Sequence, residues 1–102
     1  MPSTTHPKVI LIVRFKSTLP TDEVERRYKE RYPKYREVPG LVQKYYLHDP
    51  ATDEWGGMYL WDSQESLDEF LKSDLRKTIP DTYQFAEPPR IETITVVDTL
   101  RQ

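Results

Sequence analysis

Residues 39–62, PGLVQKYYLHDPATDEWGGMYLWD, decide the fold of this chain. Residues 41–48 are rich in Leu, Val and Tyr, residues 49–53 (Asp-Pro-Ala-Thr-Asp) carry turn chemistry, and residues 55–61 return as a second aromatic-rich run. That pattern predicts two β-strands joined by a turn. Pro39-Gly40 stops whatever precedes it, and Asp62-Ser63 opens a helix behind it. With His48 set opposite Glu54, Val42, Lys44 and Tyr46 share a face with Leu60, Met58 and Gly56. Leu41, Gln43, Tyr45 and Leu47 then share the other face with Trp61, Tyr59, Gly57 and Trp55. Both faces carry large apolar groups, so both need cover. On this parity Tyr59 and Trp61 face a second subunit.

Working outward, residues 8–16, KVILIVRFK, form the first strand, whose five consecutive aliphatics point alternately to both sides of a sheet. Thr21 is the expected N-cap of a first helix with acids in its first turn and bases later, as the helix dipole prefers. Val24, Tyr28, Tyr32 and Tyr35 form one stripe of it. Pro33 predicts a break near Tyr32 and a last turn through Glu37. The bases on its opposite face, interleaved with Glu25, Glu30 and Glu37, read as a solvated surface. Ser63, or Asp62 with Glu65 closing a capping box, starts a second helix with Leu67, Phe70, Leu71 and Leu75 on its apolar stripe. Residues 81–90 read as an extended loop and residues 91–100 as the last strand. Residues 1–7 are expected to be a flexible arm, and residues 8–102 one domain.

Composition narrows the function classes. The net charge of −2 gives no global footprint for nucleic acid. With no cysteine, neither a disulfide framework nor a thiolate metal site can form. No leader-like apolar region opens the chain and no run approaches a membrane span, so a cytoplasmic location is the expectation. Seven tyrosines are a marked bias for 102 residues. Tyrosine brings area and a hydroxyl, which suits a pocket or an interface as well as a small core.

The order strand, helix, strand, strand, helix, strand specifies an α+β, ferredoxin-like βαββαβ sandwich: a four-stranded antiparallel sheet with two helices on one face. The other face would be apolar and aromatic, larger than a monomer usually leaves bare. A homodimer through that face is therefore expected. With VPGL at residues 38–41 and GGMYLWDSQESLDEFL at residues 56–71, the chain resembles the dimeric α/β-barrel superfamily. Within it the chain is most similar to the YdhR-like monooxygenases. Tyr28-Lys-Glu-Arg-Tyr32-Pro33 also resembles the EthD-like branch, where a His commonly stands in place of Tyr32. The likeness covers roughly residues 8–100, in motifs diagnostic of fold more than of activity.

Few residues are placed for chemistry. His6 lies in the expected arm and His48 at the hairpin end, and two scattered histidines make no metal site. Gly56-Gly57 inside a strand lets a neighbour or ligand approach the backbone closely. Lys44 among Tyr28, Tyr32, Tyr35 and Tyr46 remains. Its plain role is to snorkel from a sheet edge; its sharper role is a cation that stabilises a phenolate or enolate. The resemblance implies a pocket between sheet and helices for a small aromatic, polyphenolic or quinone-type compound, oxygenated without metal, flavin or other cofactor. On that reading Lys44 and Tyr32 are catalytic, and Tyr28, Tyr35, Tyr46 and Met58 bind substrate. A polyketide-cyclase-like enzyme, weakened by the missing His at position 32, and a non-catalytic, stress-related ligand-binding dimer are the alternatives.

Overall fold

The computed structural model describes residues 6–101. Of the expected flexible arm, residues 1–5 lie outside the described residues. The elements are β1 (Val9–Phe15), α1 (Thr21–Glu30), α2 (Tyr32–Arg36), β2 (Leu41–Asp49), β3 (Glu54–Trp61), α3 (Gln64–Leu71), α4 (Asp74–Lys77), α5 (Ile79–Tyr83) and β4 (Arg90–Thr95). The four strands form one antiparallel sheet in the order β2-β3-β1-β4, the ferredoxin-like arrangement. No described helix is long and apolar enough to cross a membrane.

One face of the sheet carries the core. Val9, Leu11, Val13 and Phe15 alternate inward along β1 and meet Val24, Tyr35, Leu67, Phe70, Ile79 and Tyr83 from the helices. Such alternation buries every second side chain of a strand against one covering layer. On the other face Ile10, Ile12, Met58 and Leu60 are half-buried, and Tyr45, Leu47 and Ile94 are exposed.

The hairpin exists as read, but from Gln43 to Asp49 its register is shifted by one residue; an irregularity between Leu41 and Gln43 restores the expected Leu41–Trp61 pair. Asp49 pairs with Glu54 and His48 with Trp55, so Lys44 lies opposite Tyr59 and Tyr46 opposite Gly57. Asp49 stays in the strand because its side chain accepts the Ala51 N–H at 3.0 Å and its carbonyl accepts the Asp53 N–H at 2.8 Å. Asp53 closes this shorter loop in the left-handed region at φ 59°. A one-residue slip exchanges the faces of every side chain. Tyr59 and Trp61, expected at a subunit interface, are therefore core residues under the helices, 3% and 0% exposed.

Three boundaries also differ. Thr21 is the first helical residue instead of the cap; Pro20 precedes it, and its carbonyl accepts the N–H groups of Glu23 and Val24. The expected loop after Pro80 begins with a short helix, α5, where proline in the first turn lacks only an N–H that would have had no helical partner. The last strand stops at Thr95, opposite Val9, because β1 offers nothing further to pair with beyond one bond from Val96 N–H to Lys8 O. The break expected at Pro33 is present: α1 ends at Glu30 and α2 restarts at Tyr32. Ser63 caps α3 by accepting the Ser66 N–H at 3.1 Å.

Candidate functional site

The register brings Lys44 under the helices. Its Nζ lies 3.5 Å from the ring centroid of Tyr35 in α2, 4.3 Å from that of Tyr46 in β2 and 4.4 Å from that of Tyr59 in β3. Gly57 makes room for the stem: a Cβ there would sit 3.2 Å from Lys44 Cε and 3.0 Å from the Tyr59 ring. Among the described residues no carboxylate forms a salt bridge with Lys44. Burial, helped by the Arg31 guanidinium, pushes its ammonium down to about 6. The three ring faces act in the opposite direction, each favouring the cation by about 0.5–2 kcal/mol. Desolvation is the larger effect.

Arg31 reaches this position because the chain breaks there. Its guanidinium donates to Thr82 Oγ1 at 2.5 Å, Leu75 O at 2.6 Å and Thr78 Oγ1 at 3.2 Å, joining the α1–α2 junction to α4 and α5. Nothing in the local sequence pattern distinguishes Arg31 from the other bases of the first helix, so its role was not legible there.

The remaining tyrosines build two spaces that share Lys44 and Tyr46. Inside, a cavity of about 20 Å³ is lined by Tyr28, Lys44, Tyr46, Gly57, Tyr59 and Tyr83, among others. It holds about one water molecule. Outside, a cleft of about 440 Å³ is bounded by Tyr32, Tyr35, Arg36, Lys44 and Tyr46 at the β2 edge. Tyr28, Tyr32 and Tyr46 pack together, with centroids 4.6 Å apart for Tyr28–Tyr46 and 5.5 Å for Tyr32–Tyr46. Burial raises the phenols of Tyr28, Tyr46, Tyr59 and Tyr83 above the usual tyrosine range, so all four keep their protons. The buried Tyr35 hydroxyl has no hydrogen-bond partner among the described residues.

Five of the six expected site residues thus converge. Lys44, Tyr32, Tyr35 and Tyr46 border the outer cleft, and Tyr28 borders the inner cavity with Lys44 and Tyr46. Met58 does not join them. It pairs with Tyr45 and Ile12 on the opposite face, beside Arg14 and Leu47, because the register places it there. The mainly apolar pocket expected between the first helix and the sheet is reduced to the small inner space by the tyrosine rings themselves. Tyr59 and Gly57, absent from the expected set, enter by the same shift. His48 sits at the hairpin end, with Nε2 2.9 Å from Asp53 Oδ1. Among the described residues no three His, Asp or Glu side chains converge as metal ligands.

The four-stranded ferredoxin-like sheet with helices on one face defines the class: an α+β protein of the monooxygenase-like ferredoxin fold. Residues 10–86 match the family described as putative mono-oxygenase ydhR, and the chain belongs to that family. Among solved structures it is similar to SnoaB, a cofactor-independent oxygenase from Streptomyces nogalater, at 15% identity and TM-score 0.73, over 94% of this chain and 99% of that one. It is also similar to a putative antibiotic biosynthesis monooxygenase from Caulobacter crescentus, at 16% identity and TM-score 0.75, over 93% and 94% of the two chains. A protein of unknown function from Nitrosomonas europaea matches at 15% identity and TM-score 0.75, over 96% and 97%. These likenesses are of fold. No curated protein sequence matches the chain.

Proposed function

We infer that this protein is a cofactor-independent monooxygenase that takes a small phenolic or quinone-type aromatic compound into the cleft beside Lys44. The observation that carries the reading is Lys44, which borders an open cleft and whose amine is held among three tyrosine rings with no salt bridge to a carboxylate among the described residues. The inner cavity is too small for an aromatic ring, so the ring lies in the outer cleft against Tyr32 and Tyr46.

The depressed ammonium changes the role first expected of Lys44. A group near pKa 6 is mostly neutral at pH 7, so it meets substrate as a base and becomes a cation only after taking the proton. The resulting ammonium stabilises the substrate anion in a site of low polarity. The anion then reduces dioxygen and combines with it at carbon. The Lys44 ammonium returns its proton to the peroxide; the C–H and O–O bonds at that carbon then break, the hydrogen leaving as a proton and the outer oxygen as hydroxide to form water, so one oxygen atom ends in the new carbonyl and one in water. The tyrosines hold the ring and exclude bulk water.

The assembly belongs to the same proposal. Exposed Tyr45, Leu47 and Ile94 continue a half-buried apolar patch of Ile10, Ile12, Met58 and Leu60 on the open face. A second copy related by a two-fold axis covers such a surface with the same surface. The test of function is oxygen uptake with hydroquinone-like substrates, with Lys44→Met alongside. Uptake that depends on Lys44 supports the reading. Thermal stabilisation by the same compounds without uptake would instead assign a ligand-binding role.

A further inference from the structure

The base reading uses the lone pair of Lys44 only toward a proton. The same surroundings suit it for attack on carbon. A lysine becomes a nucleophile when it is desolvated in an apolar pocket or set near another cation, and both conditions hold here, through the three rings and Arg31. Among the described residues no carboxylate forms a salt bridge with the amine. The titratable and charged groups around it are Tyr28 and Arg31 from the first helix and its end, Tyr32, Tyr35 and Arg36 from α2, Tyr46 from β2, Tyr59 from β3 and Tyr83 from α5. None is a carboxylate.

We propose that Lys44 forms an imine with a small aromatic aldehyde or ketone lying in the cleft between Tyr32, Tyr35 and Tyr46. The Nζ lone pair attacks the carbonyl carbon, and the carbonyl π pair moves to oxygen. A proton passes from nitrogen to that oxygen to give a carbinolamine. The C–O bond then breaks, oxygen leaves as water, and the C=N bond forms. Amine and carbonyl are converted to imine and one water, with no change of oxidation state. The tyrosine-walled site favours the product because water is released from it. The reaction goes beyond the oxygenase reading, since it needs no dioxygen and forms a bond to the protein.

The experiment is trapping with 4-hydroxybenzaldehyde and cyanoborohydride on the intact protein, followed by peptide mapping. Exposed Lys16 and Lys72 in the same molecule are the internal standards. At pH 7 the lowered pKa leaves Lys44 a much larger neutral fraction than an ordinary lysine has. Restricted access reduces that advantage, and we expect adduct at Lys44 to form at least about tenfold faster than at Lys16. The Lys44-to-Lys16 ratio cancels the reagent's own pH dependence. It is level below about pH 6 and falls as pH rises above it, because Lys44 is by then unprotonated and gains no further neutral amine while an ordinary lysine does. Lys44→Met abolishes the fast adduct and leaves labelling of Lys16 unchanged. A ratio near one that stays flat from pH 5 to 9, or a fast adduct at another lysine, overturns the proposal. Oxygen uptake in the absence of trapping would overturn this step alone; trapping without uptake would overturn only the oxygenase reading.

Discussion

Lys44 Nζ lies 3.5 Å from the centre of the Tyr35 ring, a strand lysine facing a residue of the short helix that carries Pro33 in its first turn. That contact exists because the chain breaks at Arg31 and β2 pairs with β3 in one particular register. The charge on Lys44 is consequently a liability for folding.

Lys44→Met should stabilise the protein, and more at pH 7 than at pH 10.5. The folded-state value is lowered to about 6 from 10.5, so between those values the unfolded chain binds a proton that the folded one does not. The stability cost is absent above about pH 10.5, grows as pH falls and is complete below about pH 6. The full difference corresponds to about 6 kcal/mol. The ring faces and local relaxation reduce the expected gain to about 2–4 kcal/mol. Denaturant midpoints across pH check this; a variant less stable than the parent at pH 7 contradicts it.

For activity, kcat/KM for oxygen uptake should rise with pH through about 6 and level above it, because the base must be unprotonated. Arg31→Met removes the neighbouring positive charge, so its rising limb should move to higher pH. It also removes the bonds to Thr82, Leu75 and Thr78, at about 1–3 kcal/mol in stability. An unmoved limb would mean that Arg31 is only a staple.

The two sheet faces should respond differently to substitution. Tyr45→Glu, on the open face, should weaken self-association in sedimentation while far-UV circular dichroism stays native. Trp61→Ala should instead cost about 3–5 kcal/mol, because the indole is fully buried beneath the helices. Unchanged assembly of Tyr45→Glu at micromolar concentration would exclude this face as the contact.

Gly40→Ala should destabilise by about 2–4 kcal/mol. Its φ of 79° disfavours a side chain, and an added Cβ would fall 2.0 Å from Ser66 Oγ and 2.7 Å from Asp62 Oδ1. Those two oxygens are themselves bonded at 2.7 Å, so yielding space breaks a contact at the start of α3. Thermal melting measures it directly; a loss below about 1 kcal/mol would show that the turn relaxes freely.

The sequence by itself determined the order of the four strands, the break at Pro33, the start of α3 at Asp62-Ser63 and the tyrosine stripe of the first helix. Each is written in local spacing, such as the alternation of β1 or the stripe from Val24 to Tyr35, and backbone periodicity converts that spacing directly into shape. Which face of the hairpin meets the helices was decided only by the tertiary structure. That choice turned on whether Asp49 belongs to the turn or to the strand, and both faces are apolar enough to accept burial. Pairing of β3 with β1 resolved it, seating Trp61 and Tyr59 opposite Val9 and Leu11 in the core and leaving Met58 outside. The lowered pKa of Lys44 is likewise a tertiary property. It arises from rings and a guanidinium contributed by segments far apart in the chain, and desolvation depends on how completely they close around the amine.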